Sequence, residues 1–262
     1  MSVIFLDQLT VHYESLGRGR PVVFLHTWVG SWRYWIPSLQ LAASSHCAYA
    51  MDLLGFGETA RDPVGYSLDR QAALVERFLD DMGIGRIALV CHGLGALVAL
   101  SFASSQLSRI ARIMAIAMPL DLASIEARLH GYDPAGLFNL LGSKLARAAD
   151  ALSEASAIDP RTLQLAFKPD RMENALTGVR DAGIPLLLVY GANDPLLTPP
   201  EVDHAWISGQ YMHQVVMPDC GHFPMLEAPD AFHRLLIDFL ALEPGASPRG
   251  LQPKEEWRRR VR

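Results

Sequence analysis

The chain has 262 residues and a mass of 28.8 kDa, half of them hydrophobic and 19% charged, which supports a sizeable core and excludes a disordered chain or a coiled coil. Lys and Arg number 23 against 28 Asp and Glu, a formal charge of −5, so no positive field is there to hold a polyanion and nucleic acid is not an expected partner. No apolar stretch approaches the roughly 20 residues of a membrane helix, and Met1 to Thr10 lacks the basic start and apolar run of a secretory signal, so a cytoplasmic protein with no membrane span is expected.

Short apolar runs alternate with longer amphipathic ones along the chain, the pattern of strands and crossover helices in a mostly parallel sheet covered on both faces, an α/β class. The first strands are predicted at Thr10–Ser15 and Pro21–Leu25. The second runs into His26-Thr27-Trp28-Val29-Gly30-Ser31, a loop opening toward Trp32, Tyr34 and Trp35. Backbone N–H groups in such a loop, that of Trp28 first, can hold a developing negative oxygen without any side chain; an ordinary loop after a buried strand is the plainer alternative. A third strand is predicted at His46–Met51, followed by a helix over Ser67–Met82, where Ser67 can cap, Leu74, Phe78 and Leu79 form the apolar stripe and Gly83 ends it.

The most specific local signal follows. Ile87–Val90 is a strand leading through Cys91-His92-Gly93-Leu94-Gly95 into an Ala- and Leu-rich helix at Ala96–Ser104, in outline a nucleophile elbow. That device holds its central residue in a strained backbone so that the side chain stands above the sheet. Here the nucleophile position is Gly93, with no hydroxyl, thiol or carboxylate, so an ordinary covalent acyl-enzyme route is not available from the elbow. The N–H of Leu94 would join that of Trp28 as an oxyanion donor.

After a strand at Ile110–Ala117 the strand rhythm stops until Ile184–Tyr190. The expected organisation is a core of residues 1–120 and 184–242, a helical cap insertion at 121–183 lying over one end of the sheet, and a charged tail at 243–262; a second core-forming domain is the alternative for 121–183. Asp194 sits just past the Ile184–Tyr190 strand, and His222 occupies a loop between a strand at Gln214–Met217 and a helix at Pro229–Leu242. A histidine oriented by a carboxylate is a proton-transfer pair suited to neutral pH. Cys47, Cys91 and Cys220 are too few for a disulfide framework and lie at no metal-ligand spacing, so buried thiols and no metal are expected.

In the order loop, elbow, acid, histidine, these segments resemble the α/β-hydrolase superfamily from about Leu6 to Leu242, and Asp52 with Gly55-Phe56-Gly57-Glu58-Thr59 is similar to the family's Gly-x-Gly-x-[ST]-like turn. The resemblance implies an α/β-hydrolase fold with a cap, catalytic His222 and Asp194, and Asp121 as an alternative place for the acid. Two positions depart from the family: its glycine after the loop histidine is Thr27 here, and its elbow serine is Gly93. Thr27 resembles the threonine of the superfamily's hydroxynitrile lyases and is therefore a candidate substrate contact. Those lyases also use the elbow serine and a lysine beside the histidine, where this chain has Gly93 and Phe223, so that activity is not carried over. The superfamily's cofactor-independent dioxygenases likewise rely chiefly on a His–Asp pair.

The reading this supports is an enzyme without cofactor. His222, oriented by Asp194, acts as base on water or on a substrate proton, Leu94 and Trp28 N–H groups hold the oxyanion, and Gly93 leaves room for the water or the substrate. The substrate would be a small apolar activated ester, lactone, cyanohydrin or acidic C–H carbonyl compound. Trp28, Trp32, Tyr34 and Trp35, with Leu137, Phe138 and Leu141, suggest an apolar pocket, although core packing explains many of them equally well. Two other readings stay open: a serine hydrolase whose elbow serine was replaced by glycine, and a non-catalytic ligand-binding relative.

Overall fold

The structure, a computed structural model, describes residues 2–253 apart from 7, 63, 65, 143–157, 164–168 and 202–208. Its strands in chain order are β1 (Ser2–Leu6), β2 (Leu9–Gly17), β3 (Arg20–Leu25), β4 (His46–Met51), β5 (Ile87–His92), β6 (Ile110–Ile116), β7 (Leu186–Gly191) and β8 (Met212–Met217). They form one sheet in the order β1-β2-β4-β3-β5-β6-β7-β8. The β1–β2 and β2–β4 pairs are antiparallel and the rest parallel. β5 and β7 are buried along their whole length, as strands covered on both faces must be, which is why they read as unbroken apolar runs.

β1 was not among the expected strands. Val3 and Phe5 are exposed while Ile4 is half-buried and Leu6 buried, so apolar side chains occupy both faces and the polarity alternation that marks a half-covered strand is absent.

The helices are α1 (Ile36–Ala42), α2 (Leu68–Asp81), α3 (Leu94–Gln106), α4 (Leu122–Leu129), α5 (Pro134–Gly142), α6 (Pro169–Asp181), α7 (Pro224–Glu227) and α8 (Pro229–Leu240). In α2 the Ser67 hydroxyl accepts the Arg70 N–H, and Leu74, Val75, Phe78 and Leu79 face inward. α3 is buried on nearly all sides, packed against α2 and α6, so an Ala- and Leu-rich helix with no polar face is what its place requires. α6, within the segment expected as a cap, thus lies against a helix of the core. Past α8 the chain folds back instead of running free: Pro248 is buried and His213 Nε2 meets the Leu251 carbonyl at 2.8 Å. The charged run of the tail lies outside the described residues.

The topology decides where a site can form. β3 connects to β4 on one side of it, and β4 connects back past β3 to β5 on the other. Right-handed crossovers in opposite directions place α1 on one face and α2 and α3 on the other, in keeping with α1 packing on α8 and α3 on α2 and α6. The loops leaving the carboxyl ends of β3 and β5 therefore diverge and leave a crevice, the switch point at which open α/β sheets bind ligands.

Candidate active site

Four strand ends meet at that crevice. The β5–α3 turn supplies Gly93 at φ +49°, ψ −108°, a conformation in which a side chain is strained and glycine is not. Two residues on, a Cβ at Gly95 would come within 2.7 Å of the Leu25 Cβ and carbonyl oxygen, and the Gly95 N–H instead donates to the His26 carbonyl at 3.0 Å. The two glycines let α3 start directly against the end of β3. Leu94, the first residue of α3, has an N–H for which the helix itself provides no acceptor.

The loop after β3 is pinned on both sides of Thr27. Its N–H donates to the Tyr34 hydroxyl at 2.9 Å, and its carbonyl accepts from His26 Nδ1 at 2.8 Å. The other His26 nitrogen accepts the Leu53 N–H at 2.9 Å, which fixes the tautomer with the proton on Nδ1. Thr27 and Trp28 are fully buried. The Trp28 indole N–H has no acceptor among the described residues, a donor whose burial is costly until a ligand or water meets it.

The loops after β7 and β8 bring in the acid and the histidine. His222 Nδ1 lies 2.8 Å from Asp194 Oδ2, with both side chains shielded from solvent. Burial pushes the Asp194 carboxyl up, but the His222 imidazole beside it and the N–H groups of Leu196 and Leu197 at 2.8 and 3.2 Å outweigh it and hold the carboxyl below its usual range. An ionised Asp194 can only accept, so His222 carries its proton on Nδ1 and turns the Nε2 lone pair away from the acid. That lone pair faces Thr27 Oγ1 at 3.4 Å.

The space above the elbow is occupied, contrary to expectation. A Cβ built on Gly93 would stand 2.1 Å from Thr27 Oγ1 and 3.0 Å from both Thr27 Cβ and Trp28 Cζ3. Gly93 thus makes room for the Thr27 side chain, not for a water.

Sequence reasoning missed the roles of three groups around the pair. Tyr34 holds the Thr27 N–H and also lies 3.1 Å from His92 Nδ1. His92 stacks on His222 with ring centroids 4.6 Å apart, and burial keeps it far below the usual histidine range and so neutral. Glu227, at the end of α7, accepts the Gly221 N–H at 2.6 Å and the Phe223 N–H at 2.9 Å, clamping the loop on either side of His222. Its signal was present: an acid in the first helical turn reaching back to the N–H of the N-cap residue, as in a capping box. Trp35 is a core residue, packed on Phe24. Asp121 lines a cleft with Met118, Ile125 and Leu197; the acid on His222 is Asp194. Burial raises the Cys91 thiol strongly and Cys220 to about 11, which leaves both un-ionised at neutral pH. Cys47 is only half-buried. Among the described residues no cluster of three His, Cys, Asp or Glu is placed to hold a metal, and no helix is long and apolar enough to cross a membrane.

Residues 22–235 match the sequence family described as the alpha/beta hydrolase family. The chain belongs to that family. It is an α/β hydrolase similar, at 25% identity over 87% of each chain, to the 2-hydroxy-6-oxo-6-(2'-aminophenyl)hexa-2,4-dienoic acid hydrolase of Metapseudomonas resinovorans. It is also 25% identical to the 2-hydroxy-6-oxo-2,4-heptadienoate hydrolase of Pseudomonas putida, over 92% of this α/β hydrolase and 96% of that one. Among solved structures, a thermophilic esterase from Thermogutta terrifontis superposes with a TM-score of 0.75 over 91% of this chain and 97% of its own, at 20% identity, a likeness of fold.

Proposed function

We propose that this α/β hydrolase is an active enzyme that hydrolyses a small, apolar, activated carbonyl compound, an ester, lactone or reactive ketone, with His222 as proton-transfer base and Asp194 as its orienting acid. The observation that carries the reading is the buried Asp194–His222 hydrogen bond of 2.8 Å at the switch point of the sheet, with the other imidazole nitrogen directed at the Thr27 hydroxyl beside Gly93. A buried carboxylate and histidine are costly to maintain for packing alone. The N–H groups of Leu94 and Trp28 are the donors for the oxyanion, and helices α4 and α5 are the parts of the 121–183 segment suited to cover the substrate. The names of the two relatives, both hydrolases of 2-hydroxy-6-oxo-dienoic acids, support a small carbonyl substrate.

A positioned base contributes about 10²- to 10⁴-fold. With a panel of p-nitrophenyl esters and short-chain lactones, His222→Ala is expected to lose rate in that range while thermal unfolding stays within a few degrees of wild type. Unchanged turnover in a folded His222→Ala chain overturns the proposal.

A further inference from the structure

We propose that the nucleophile of this hydrolase is the hydroxyl of Thr27, moved from the elbow to the loop after β3; the inference rests on the assignment of His222 as base. Three observations meet at this atom. Thr27 Oγ1 is the oxygen that faces His222 Nε2, at 3.4 Å, a separation of the kind that tightens when substrate binds. It also fills the volume over the elbow, 2.1 Å from where a Cβ of residue 93 would be, so the hydroxyl stands where an elbow side chain would otherwise present one. Its backbone is held by Tyr34 through the N–H and by His26 through the carbonyl, the two-sided grip that a nucleophile needs to stay aimed. Thr27, His222 and Asp194 then form a hydroxyl–imidazole–carboxylate line whose geometry and roles are those of a catalytic triad, with the members drawn from β3, β8 and β7.

The oxyanion donors keep their places and exchange parts. Trp28 N–H becomes the donor that follows the nucleophile, and Leu94 N–H becomes the donor from the neighbouring loop. In the acylation step the Thr27 oxygen attacks the carbonyl carbon as its proton passes to His222 Nε2, giving a tetrahedral oxyanion. Its collapse breaks the bond to the leaving group, which takes the proton from Nε2, and leaves an acyl ester on Thr27. Water then attacks that ester, delivering a proton to Nε2; the carboxylic acid departs and the proton returns to the Thr27 oxygen. For an ester the balance is one water consumed, one acid and one alcohol released.

The test treats the full-length chain with an alkyl fluorophosphonate, measures intact mass, maps the modified peptide, and follows p-nitrophenyl acetate turnover in the same variants. The expected result is one adduct on residue 27 in wild type and in Thr27→Ser, and none in the near-isosteric Thr27→Val or in His222→Ala. Turnover should fall at least a hundredfold in Thr27→Val and be retained within about tenfold in Thr27→Ser. Wild-type chain without an adduct at residue 27, or with the adduct elsewhere, overturns the proposal whatever ester is turned over. Full turnover in Thr27→Val with loss in His222→Ala overturns it while leaving His222 as base; full turnover in both removes the base as well. A reciprocal pair guards against a Thr27→Val chain that does not fold. Gly93→Ser alone is expected to acquire no adduct at residue 93, since Thr27 occupies the site, whereas Thr27→Gly with Gly93→Ser opens it and moves the adduct to residue 93. An adduct at residue 93 in the single variant counts against the proposal.

Discussion

His222 owes its aim to more than its carboxylate. Glu227 takes the N–H groups of both neighbours, Gly221 and Phe223, so it fixes the backbone on which the imidazole is mounted without touching the reacting atoms. Removing the carboxylate frees two N–H groups and lets the ring drift from Asp194 and Thr27. With His222 as the proposed base, and small displacements of such a group costing up to about a hundredfold, Glu227→Ala is expected to lower kcat some ten- to a hundredfold with KM nearly constant, and Glu227→Gln, which keeps a carbonyl acceptor, to recover part of it. Equal kcat in wild type and Glu227→Ala, by steady-state kinetics on an aryl ester, would count against this role. At this scale the chain announced Asp194, His222 and the elbow glycine, because each belongs to a short motif with a recognisable outline. It did not announce that Thr27 fills the space over Gly93, for that is a meeting of two distant side chains, visible only once β3 and β5 lie side by side. Tyr34 and His92 were hidden for the same reason.

Among the elements, one contact joins the segment after α5 to the loop before α2. Tyr66 donates to Asp159 Oδ2 at 2.7 Å, Arg161 Nη2 reaches the same oxygen at 2.6 Å, and the Asp159 N–H donates to the Gly55 carbonyl at 3.0 Å. The Arg161 hydrogen bonds, opposed by burial and helped by the Tyr66 hydroxyl, hold the Asp159 carboxyl far below its usual 3.8, and burial with the Asp159 charge pushes the Tyr66 phenol up to about 12. A carboxyl depressed in the folded state stabilises fully above the unfolded value and stops doing so as the pH falls through the folded one. Asp159→Asn is therefore expected to cost about 1–3 kcal/mol at neutral pH, with the gap to wild type narrowing below about pH 4. Denaturant titrations across that range check it, and a constant gap would exclude the ionised contact as the cause. Element boundaries followed the strength of their signals. α2 was legible to within a residue at its start because a serine cap and an apolar stripe coincide at its head. α1 was not, since it emerges from a 3-10 turn with Pro37 in its first turn and only seven residues.

Over the whole molecule, the fold was legible because the buried parallel strands β3, β5, β6 and β7 are mainly apolar, interrupted in β6 by Arg112 alone, and their order on either side of the crevice is consistent with crossover handedness. The 121–183 segment was less so: its helix α6 packs against α3, and composition alone does not tell which helices of such a segment join the core. The contact between Thr27 and His222 spans 195 positions of chain, and β8, which carries the histidine's loop, is the last strand made and an outer member of the sheet. Closing so wide an interval is entropically slow. Turnover is consequently expected to return later than tryptophan burial when the denatured chain is diluted into buffer, since Trp28 and Trp35 are buried residues close in sequence to β3 and Trp35 packs on Phe24 of that strand. A stopped-flow record in which both signals rise together would show that the outer strand docks with the interior and not after it.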